Sequence, residues 1–285
     1  MYAVTGASGQ LGRLVVESLL GKVAPDQIVA LVRTPESVAD FAAKGVVVRT
    51  FDYDAPETLA PGLAGVTRLL LVSGNAVGSR VPQHRAVIDA AKAAGVALIA
   101  YTSILRADRS PMQLAAEHKA TEELLAASGI PAALLRNGWY TENYLMSAGA
   151  AIEHGVLIGS AGEGVVSSAA RADYAEAAAV VLTRGEAGTF ELAGDTGFTH
   201  AELAATLAEV SGKPVAYQDL PEADYAKALE GAGIPAPFAA ILADSDARAG
   251  EGTLFNESHT LSGLIGRPTT PWHETIVAGV KASRT

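Results

Sequence analysis

Three glycines at a spacing of three, Gly6, Gly9 and Gly12, are the first residues of the chain whose pattern points to chemistry. Tyr2-Ala3-Val4 before them is a short apolar run that reads as a buried strand. After them Leu11, Leu14, Val15, Ser18 and Leu19 recur at helical intervals, so the turn leads from a strand into a helix. A helix N-terminus offers unpaired N–H groups and the positive end of its dipole, and residues without Cβ let anionic oxygens reach the backbone. Strand, glycine turn and helix together predict a diphosphate site. The spacing is GxxGxxG rather than the GxGxxG of many dehydrogenases, and an ordinary tight turn between strand and helix is the plain alternative.

Arg33 says more about which nucleotide. A site for NAD places an acid about 20 residues past the glycines, on the ribose 2′-hydroxyl. Here the end of the second apolar run, Ile28–Val32, carries Arg33 and no acid. A guanidinium can grip a 2′-phosphate bidentately and stack beside adenine, which favours NADP(H); the alternative is a solvated arginine at a strand end. Arg13 either assists or faces water. Asp52, with Tyr53 beside it, can accept from an adenine amino group or cap the helix expected at Pro56. Ser73, Gly74 and Asn75 close the fourth strand, where small residues let the backbone run alongside a ribose.

The reaction class depends on the helix after the fifth strand. A Tyr-x-x-x-Lys there serves carbonyl reduction and epimerisation, the tyrosine moving the proton and the lysine lowering its pKa. The stretch SPMQLAAEHKATEELL has no tyrosine, and Tyr101, Tyr140, Tyr174 and Tyr225 lack a lysine four residues on. That mechanism is therefore not expected. His118 shares a face with Leu114, Thr121 and Leu125 and so points inward. It either bridges a cofactor ribose or protonates a reduced product, or it is a hydrogen-bonded core histidine. Downstream, RNGWYTENY gathers Asn137, Gly138, Trp139, Tyr140, Asn143 and Tyr144. This density of aromatic and amide groups suits a planar nicotinamide and a planar substrate, or else a hydrophobic hinge. There is no cysteine, no spacing typical of metal ligands and no nucleophile elbow.

The elements that must position these residues follow a regular rhythm. Apolar runs at Ile28–Val32, Val46–Phe51, Leu69–Val72, Leu98–Ser103 and Ala133–Arg136 alternate with helical stretches, among them Pro56–Leu63, Pro82–Ala94 and Met112–Ser128. Such alternation predicts an α/β fold, a doubly wound parallel sheet covered on both faces, with the loops at the strand ends forming one crevice. Residues 1–144 are assigned to this nucleotide-binding domain, with chain crossings returning from 170–195. Residues 145–285 are assigned mainly to a smaller C-terminal α/β lobe over the crevice. In it, helices are expected at Asp173–Leu182, Ala236–Leu242, Ser258–Ile265 and from Trp272, with a capping box at Thr199-x-x-Glu202. Strands are expected at Thr189–Leu192 and Val215–Gln218. A net charge of −10 argues against a nucleic-acid surface. No apolar run reaches the length of a membrane span, and with the first strand at Tyr2 no signal peptide is expected; a soluble, cytoplasmic protein is expected.

TGASGQLG, IVALVR, AAKAAGVALIAYTS, EHKATEELLAASGI, LRNGWYTENYL and LSGLIGRPTTP together resemble the NmrA-like branch of the atypical short-chain dehydrogenase superfamily. LRNGWYTENYL is the most specific of these, and within the branch the likeness is to its zinc-independent quinone-reducing members, with dye reductases close by. The resemblance implies a Rossmann domain, a small C-terminal domain, NADPH, and hydride transfer to a quinone without a Tyr/Lys pair. It implies that Gly6, Ala7, Ser8, Gly9, Gln10, Leu11 and Gly12 hold the diphosphate and Arg33 the 2′-phosphate. Ser73, Gly74 and the segment Asn137, Gly138, Trp139 and Tyr140 then line the ribose and nicotinamide, with Tyr140, Asn143 and Tyr144 toward the substrate. Regulatory members of the same branch bind dinucleotide and other proteins without turnover, so a non-catalytic NADP(H) sensor, or a reductase of dyes or imines, stays open. A homodimer and a regulatory protein partner are both compatible with this reading.

Overall fold

The computed structural model describes residues 1–283; the last two residues of the expected 145–285 lobe lie outside the described residues. Among the described residues nine strands are formed: β1 (Tyr2–Thr5), β2 (Ile28–Val32), β3 (Val47–Thr50), β4 (Arg68–Leu71), β5 (Leu98–Ile104), β6 (Ala132–Asn137), β7 (Val156–Gly159), β8 (Gly188–Leu192) and β9 (Ala216–Asp219). Seven of them make one sheet in the order β3-β2-β1-β4-β5-β6-β8, and β7 pairs with β9 in a second. From β3 to β6 every pairing in the large sheet is parallel, with Val4 of β1 opposite Ala30 of β2 and Leu70 of β4. Parallel strands covered on both faces must be apolar throughout. That is why β2, with all five residues buried, reads as an unbroken apolar run.

The described residues divide into two compact units. The first comprises 1–107, 117–137 and 171–190, and the second 108–116, 138–170 and the described part of 191–285. In the first unit Ala3, Val29, Leu31, Leu69, Leu71, Ile99 and Tyr101 form one buried cluster with Val87, Ile88 and Leu125 from the covering helices. Helix Gln10–Leu20 buries Leu11, Val15, Val16 and Leu19 and packs against helix Arg171–Arg184. In the second unit the core holds Phe198, Leu203, Leu207, Ile276 and Val280, with Trp272 stacked on Phe198 at 4.2 Å between ring centroids. The capping box at Thr199 and Glu202 is present, each partner satisfying the other's backbone N–H.

Several boundaries differ from the expectation. The helix expected from Pro82 starts at Arg80, so Pro82 sits in its first turn, where a missing N–H removes no intrahelical bond. The helix expected from Met112 starts at Ala115. The one expected to end at Leu242 runs on to Gly250, because Asp244 is buried and pairs with Arg248 one turn later at 3.7 Å instead of breaking the helix. Helix Leu145–His154 and strand β7 were not legible in the small-residue stretch after Tyr144.

The glycine turn carries the tightest packing at the start of the chain. A Cβ added to Gly12 would stand 2.2 Å from the Gly6 carbonyl oxygen, 2.8 Å from its carbon and 2.9 Å from the Ala7 Cα. All three are backbone atoms that cannot swing aside. Gly12→Ala is therefore expected to destabilise the chain by about 1–3 kcal/mol through overpacking. Thermal denaturation checks this; an unchanged melting temperature would mean that the turn relaxes freely.

Candidate functional site

In the large sheet β1 has β2 on one side and β4 on the other, so the connections leaving β1 and β4 run in opposite directions. A gap opens at the C-terminal ends of these two strands, where ligands bind in open α/β sheets. The glycine turn and the loop after β4 flank this gap. Gly6, at φ +58°, occupies the left-handed region, and a Cβ on it would lie 3.9 Å from the Val72 Cβ. Ala7 is buried, with its N–H donating to the Leu31 carbonyl at 3.2 Å, whereas Ser8, Gly9 and Gln10 are exposed. Leu11 is buried as the first apolar contact of the helix, so its side chain faces the core. The helix begins after Gly9 with no side-chain cap and no acid in its first turn. An uncapped, uncompensated helix N-terminus beside a bare backbone fits a diphosphate.

Arg33 stands exposed at the end of β2, and its guanidinium has no partner among the described residues. Arg13 is placed differently. It pairs with Asp40 at 2.5 Å and lies 4.6 Å above the Phe41 ring. The hydrogen bond from Arg13 holds the Asp40 carboxyl below the usual carboxylate range.

Asp52 and Tyr53 take on internal tasks. One Asp52 carboxylate oxygen accepts from the Asp54 N–H at 3.1 Å, bracing its own loop rather than capping the helix at Pro56. The Tyr53 hydroxyl lies 2.6 Å from Thr5 Oγ1 and donates to the Val72 carbonyl at 3.0 Å. Its ring meets Phe51 and His84 edge-on, so this side chain ties the ends of β1 and β4 together instead of presenting itself to an adenine. Ser73 donates its N–H to Thr102 Oγ1 of β5 at 2.8 Å, and Asn75 is exposed in the loop beyond.

Behind this loop lies a buried polar network. Arg80 and His84 are one turn apart on helix Arg80–Ala93; Glu117, His118 and Thr121 come from helix Ala115–Ser128, and Tyr101 from β5. The Gly74 N–H donates to His84 Nε2 at 3.1 Å, and Arg80 Nε donates to the Gly74 carbonyl at 2.7 Å. His84 Nε2 is thus an acceptor, which leaves the proton on Nδ1 to donate to Thr121 Oγ1 at 3.0 Å; Thr121 donates onward to the Glu117 carbonyl at 2.9 Å. An arginine only donates, so His118 Nε2, facing Arg80 at 3.4 Å, is the acceptor, and its Nδ1–H donates to the Tyr101 hydroxyl at 2.8 Å. Glu117 lies 3.7 Å from Arg80 and accepts from the Gly78 N–H at 3.0 Å. Burial first, and the Arg80 charge second, lower the pKa of both His84 and His118 to about 3. Burial likewise raises the Tyr101 phenol above its ordinary value.

His118 was expected to point inward, and it does. Both of its ring nitrogens are turned to protein groups, and it is neutral at ordinary pH. A helix starting at Pro82 leaves Arg80 outside it, so Arg80 and His84 do not show up as a pair one turn apart. The visible signal was Arg80 and His84 at helical spacing with the apolar Val87, Ile88 and Ala91.

The RNGWYTENY segment divides between the units after Asn137. In the first unit Arg136 makes a two-pronged ion pair with Glu122, at 3.0 and 2.6 Å, and Ser103 donates to the same carboxylate at 2.6 Å. Asn137 ends β6 buried, its carbonyl accepting from the Leu105 N–H at 3.0 Å. In the second unit Gly138 is buried and donates to the Leu192 carbonyl at 2.7 Å, while Trp139 and Tyr140 are half-buried and an isolated bridge joins Tyr140 to Ala169. Asn143 lies in a single 3-10 turn, Thr141–Tyr144. Tyr144 packs edge-on against Phe198 and His200, at 5.4 and 5.5 Å, within the core of this unit. Among the described residues no cluster of three or more His, Cys, Asp or Glu side chains is placed to hold a metal ion. No helix among them is long and apolar enough to cross a membrane.

The model of an NAD(P)H-binding family matches residues 6–184. Quinone oxidoreductase 2 of Escherichia coli K12 is 56% identical over 278 residues, covering 97% of each chain. The crystal structure of an NADPH-dependent quinone oxidoreductase from Escherichia coli in complex with NADPH superposes with a TM-score of 0.95 at 55% identity, covering 98% of this chain and 99% of that one. A Citrobacter triphenylmethane reductase in complex with NADP(H) superposes with a TM-score of 0.91 at 40% identity, covering 98% of this chain and all of the other.

The two buried histidines have a consequence for acid stability. Above pH about 6.5 both are neutral whether the chain is folded or unfolded and contribute no pH dependence. As pH falls from there toward 3, the unfolded chain takes up protons that the folded one does not. Stability is then lost at about 1.4 kcal/mol per pH unit for each histidine. Chemical denaturation at pH 7 and pH 5 is expected to show a smaller loss in a His84→Gln/His118→Gln double variant than in the unmodified chain. Equal losses would mean that the histidines are not buried neutral.

Proposed function

The chain belongs to the NAD(P)H-binding family whose model spans residues 6–184, and on that premise we propose that it is an NADPH-dependent oxidoreductase delivering hydride to a quinone. The observation that carries the reading is the uncapped helix N-terminus at the switch point, with Arg33 unpartnered at the end of the neighbouring strand. NADPH, when bound, supplies a hydride. The backbone of Gly6 to Gly12 holds the diphosphate through N–H groups and the helix dipole, Arg33 holds the 2′-phosphate, and Ser73 and Gly74 run beside a ribose.

The chemistry needs little else from the protein. No Tyr-x-x-x-Lys is present, and Tyr101, the tyrosine of β5, is fully buried with its hydroxyl bonded to His118, so it cannot reach a substrate. A quinone is electrophilic enough that a well-oriented donor suffices, which agrees with the quinone- and dye-reducing relatives. His118 has its Nδ1–H committed to Tyr101; we assign it to supporting the loop after β4 and leave the proton for the reduced acceptor to solvent. In the second unit Trp139 and Tyr140 supply the half-buried aromatic surface for planar rings, with Asn143 beside them. Tyr144 is largely taken up by the core.

Steady-state oxidation of NADPH in the presence of a simple benzoquinone tests the activity, and a rate no higher than the uncatalysed one would sink it. For the cofactor, Arg33→Ala is expected to weaken NADPH by ~1.5–3 kcal/mol, the range of a lost charge-assisted hydrogen bond, and to leave NADH nearly unaffected. Equal weakening of both dinucleotides would place the 2′-phosphate elsewhere.

A further inference from the structure

The three residues that leave β4 are held almost entirely by side chains. The Val72 N–H donates to Thr5 Oγ1 at 2.9 Å and its carbonyl accepts from Tyr53 at 3.0 Å. The Ser73 N–H goes to Thr102 Oγ1, and Gly74 is gripped on both sides of its Cα, by His84 at the N–H and by Arg80 at the carbonyl. Fixing both peptide units that flank one Cα fixes its φ and ψ. Such loops commonly satisfy their backbone with water. Here an arginine that is 5% exposed and a histidine that is fully buried are used instead, both from the helix that follows the loop.

Gly74 itself shows what the grip is for. It does not lie in the left-handed region. A Cβ on it would meet Gln83 Oε1 at 3.5 Å and the Tyr53 ring at 3.8 Å, ordinary contacts that a side chain tolerates. Nothing inside the fold requires a glycine there. The bare Cα at the switch point keeps room for a ligand that approaches the backbone.

We propose that Arg80 and His84 are positioning residues for the dinucleotide, acting through the Gly74 backbone that they hold between them. The inference rests on the reading of this strand edge as the NADPH site. Neither residue touches the ligand; each sets where the Ser73–Gly74 backbone stands. Arg80 is kept in place by Glu117 and His118, and His84 by Thr121, so the helix Ala115–Ser128 acts as the backstop.

The experiment compares His84→Leu, which removes the acceptor for the Gly74 N–H, with His84→Gln, whose amide oxygen can restore it. NADPH dissociation constants are measured by fluorescence titration, together with thermal denaturation and quinone turnover at saturating NADPH. His84→Leu is expected to weaken NADPH about tenfold, the worth of one hydrogen bond, with His84→Gln within about threefold of the unmodified chain. The KM for quinone at saturating NADPH should be unchanged in both. A folded His84→Leu with unaltered NADPH affinity, or a His84→Gln as weak as His84→Leu, overturns the proposal. A lowered melting temperature with unchanged affinity also overturns it, since that is the signature of a merely structural histidine. If His84→Leu does not fold, Arg80→Met against Arg80→Lys gives the same comparison at the Gly74 carbonyl. Failure of the unmodified chain to bind NADPH overturns the cofactor reading itself, whereas binding that the variants leave intact overturns only this inference.

Discussion

The approach of Gly12 to the Gly6 carbonyl is the contact on which the first unit depends. Because no side chain stands between them, the first helix leaves β1 at close range, its N-terminus is directed at the end of the parallel strands, and Leu11, Val15 and Leu19 reach the sheet. The same helix packs on Arg171–Arg184, which brings a segment from late in the chain into this unit. Steric closeness at one glycine thus sets both the dipole that attracts an anion and the packing that holds the dipole in place.

Around that turn the sheet changes character along its strands. The middle of β1, β2, β4 and β5 is wholly apolar, whereas Thr5, Thr102 and Ser103 cluster at the C-terminal ends. Their hydroxyls do not face water. They bond the backbone of Val72 and Ser73 and the carboxylate of Glu122. A buried polar group is tolerable only when paired, and the network from Thr5 to Arg80 pairs donors with acceptors in a single consistent direction. This explains the two neutral histidines: with a proton on each ring nitrogen they could not accept from Gly74 or Arg80. An edge built this way is rigid before any ligand arrives, which suits a reaction that depends on orientation more than on acid–base groups.

Motif density proved a mixed guide to the RNGWYTENY segment. RNGWYTENY read as one site because its aromatic and amide residues crowd together, yet the structure distributes them among different tasks. Arg136 pairs with Glu122, and Asn137 and Gly138 are buried backbone. Tyr144 joins Phe198 and His200 in the core, while Trp139 and Tyr140 keep partly open faces. Aromatic side chains bury well whatever else they do, so their clustering in sequence marks burial before it marks binding.

The local features of the chain were decided by sequence alone. An apolar run long enough only for a strand, followed by a glycine turn and helical periodicity, has one low-energy arrangement, so the alternation of strands and helices, the parallel sheet and the glycine turn were legible. The place of Arg33 at the exposed end of β2 was legible too, because it directly follows the apolar run. The partners of Arg80, His84, Glu117 and Tyr101 were decided only by tertiary structure. They are separated by up to 37 residues, as between His84 and Thr121, and nothing local records which helix faces which. Tyr53 and Asp52 show the same limit, since their types allowed ligand contact and only the neighbouring Thr5, Val72 and Asp54 turned them inward. Periodicity says which face of an element is buried; which buried groups meet across elements is set by packing, and packing is a property of the whole chain.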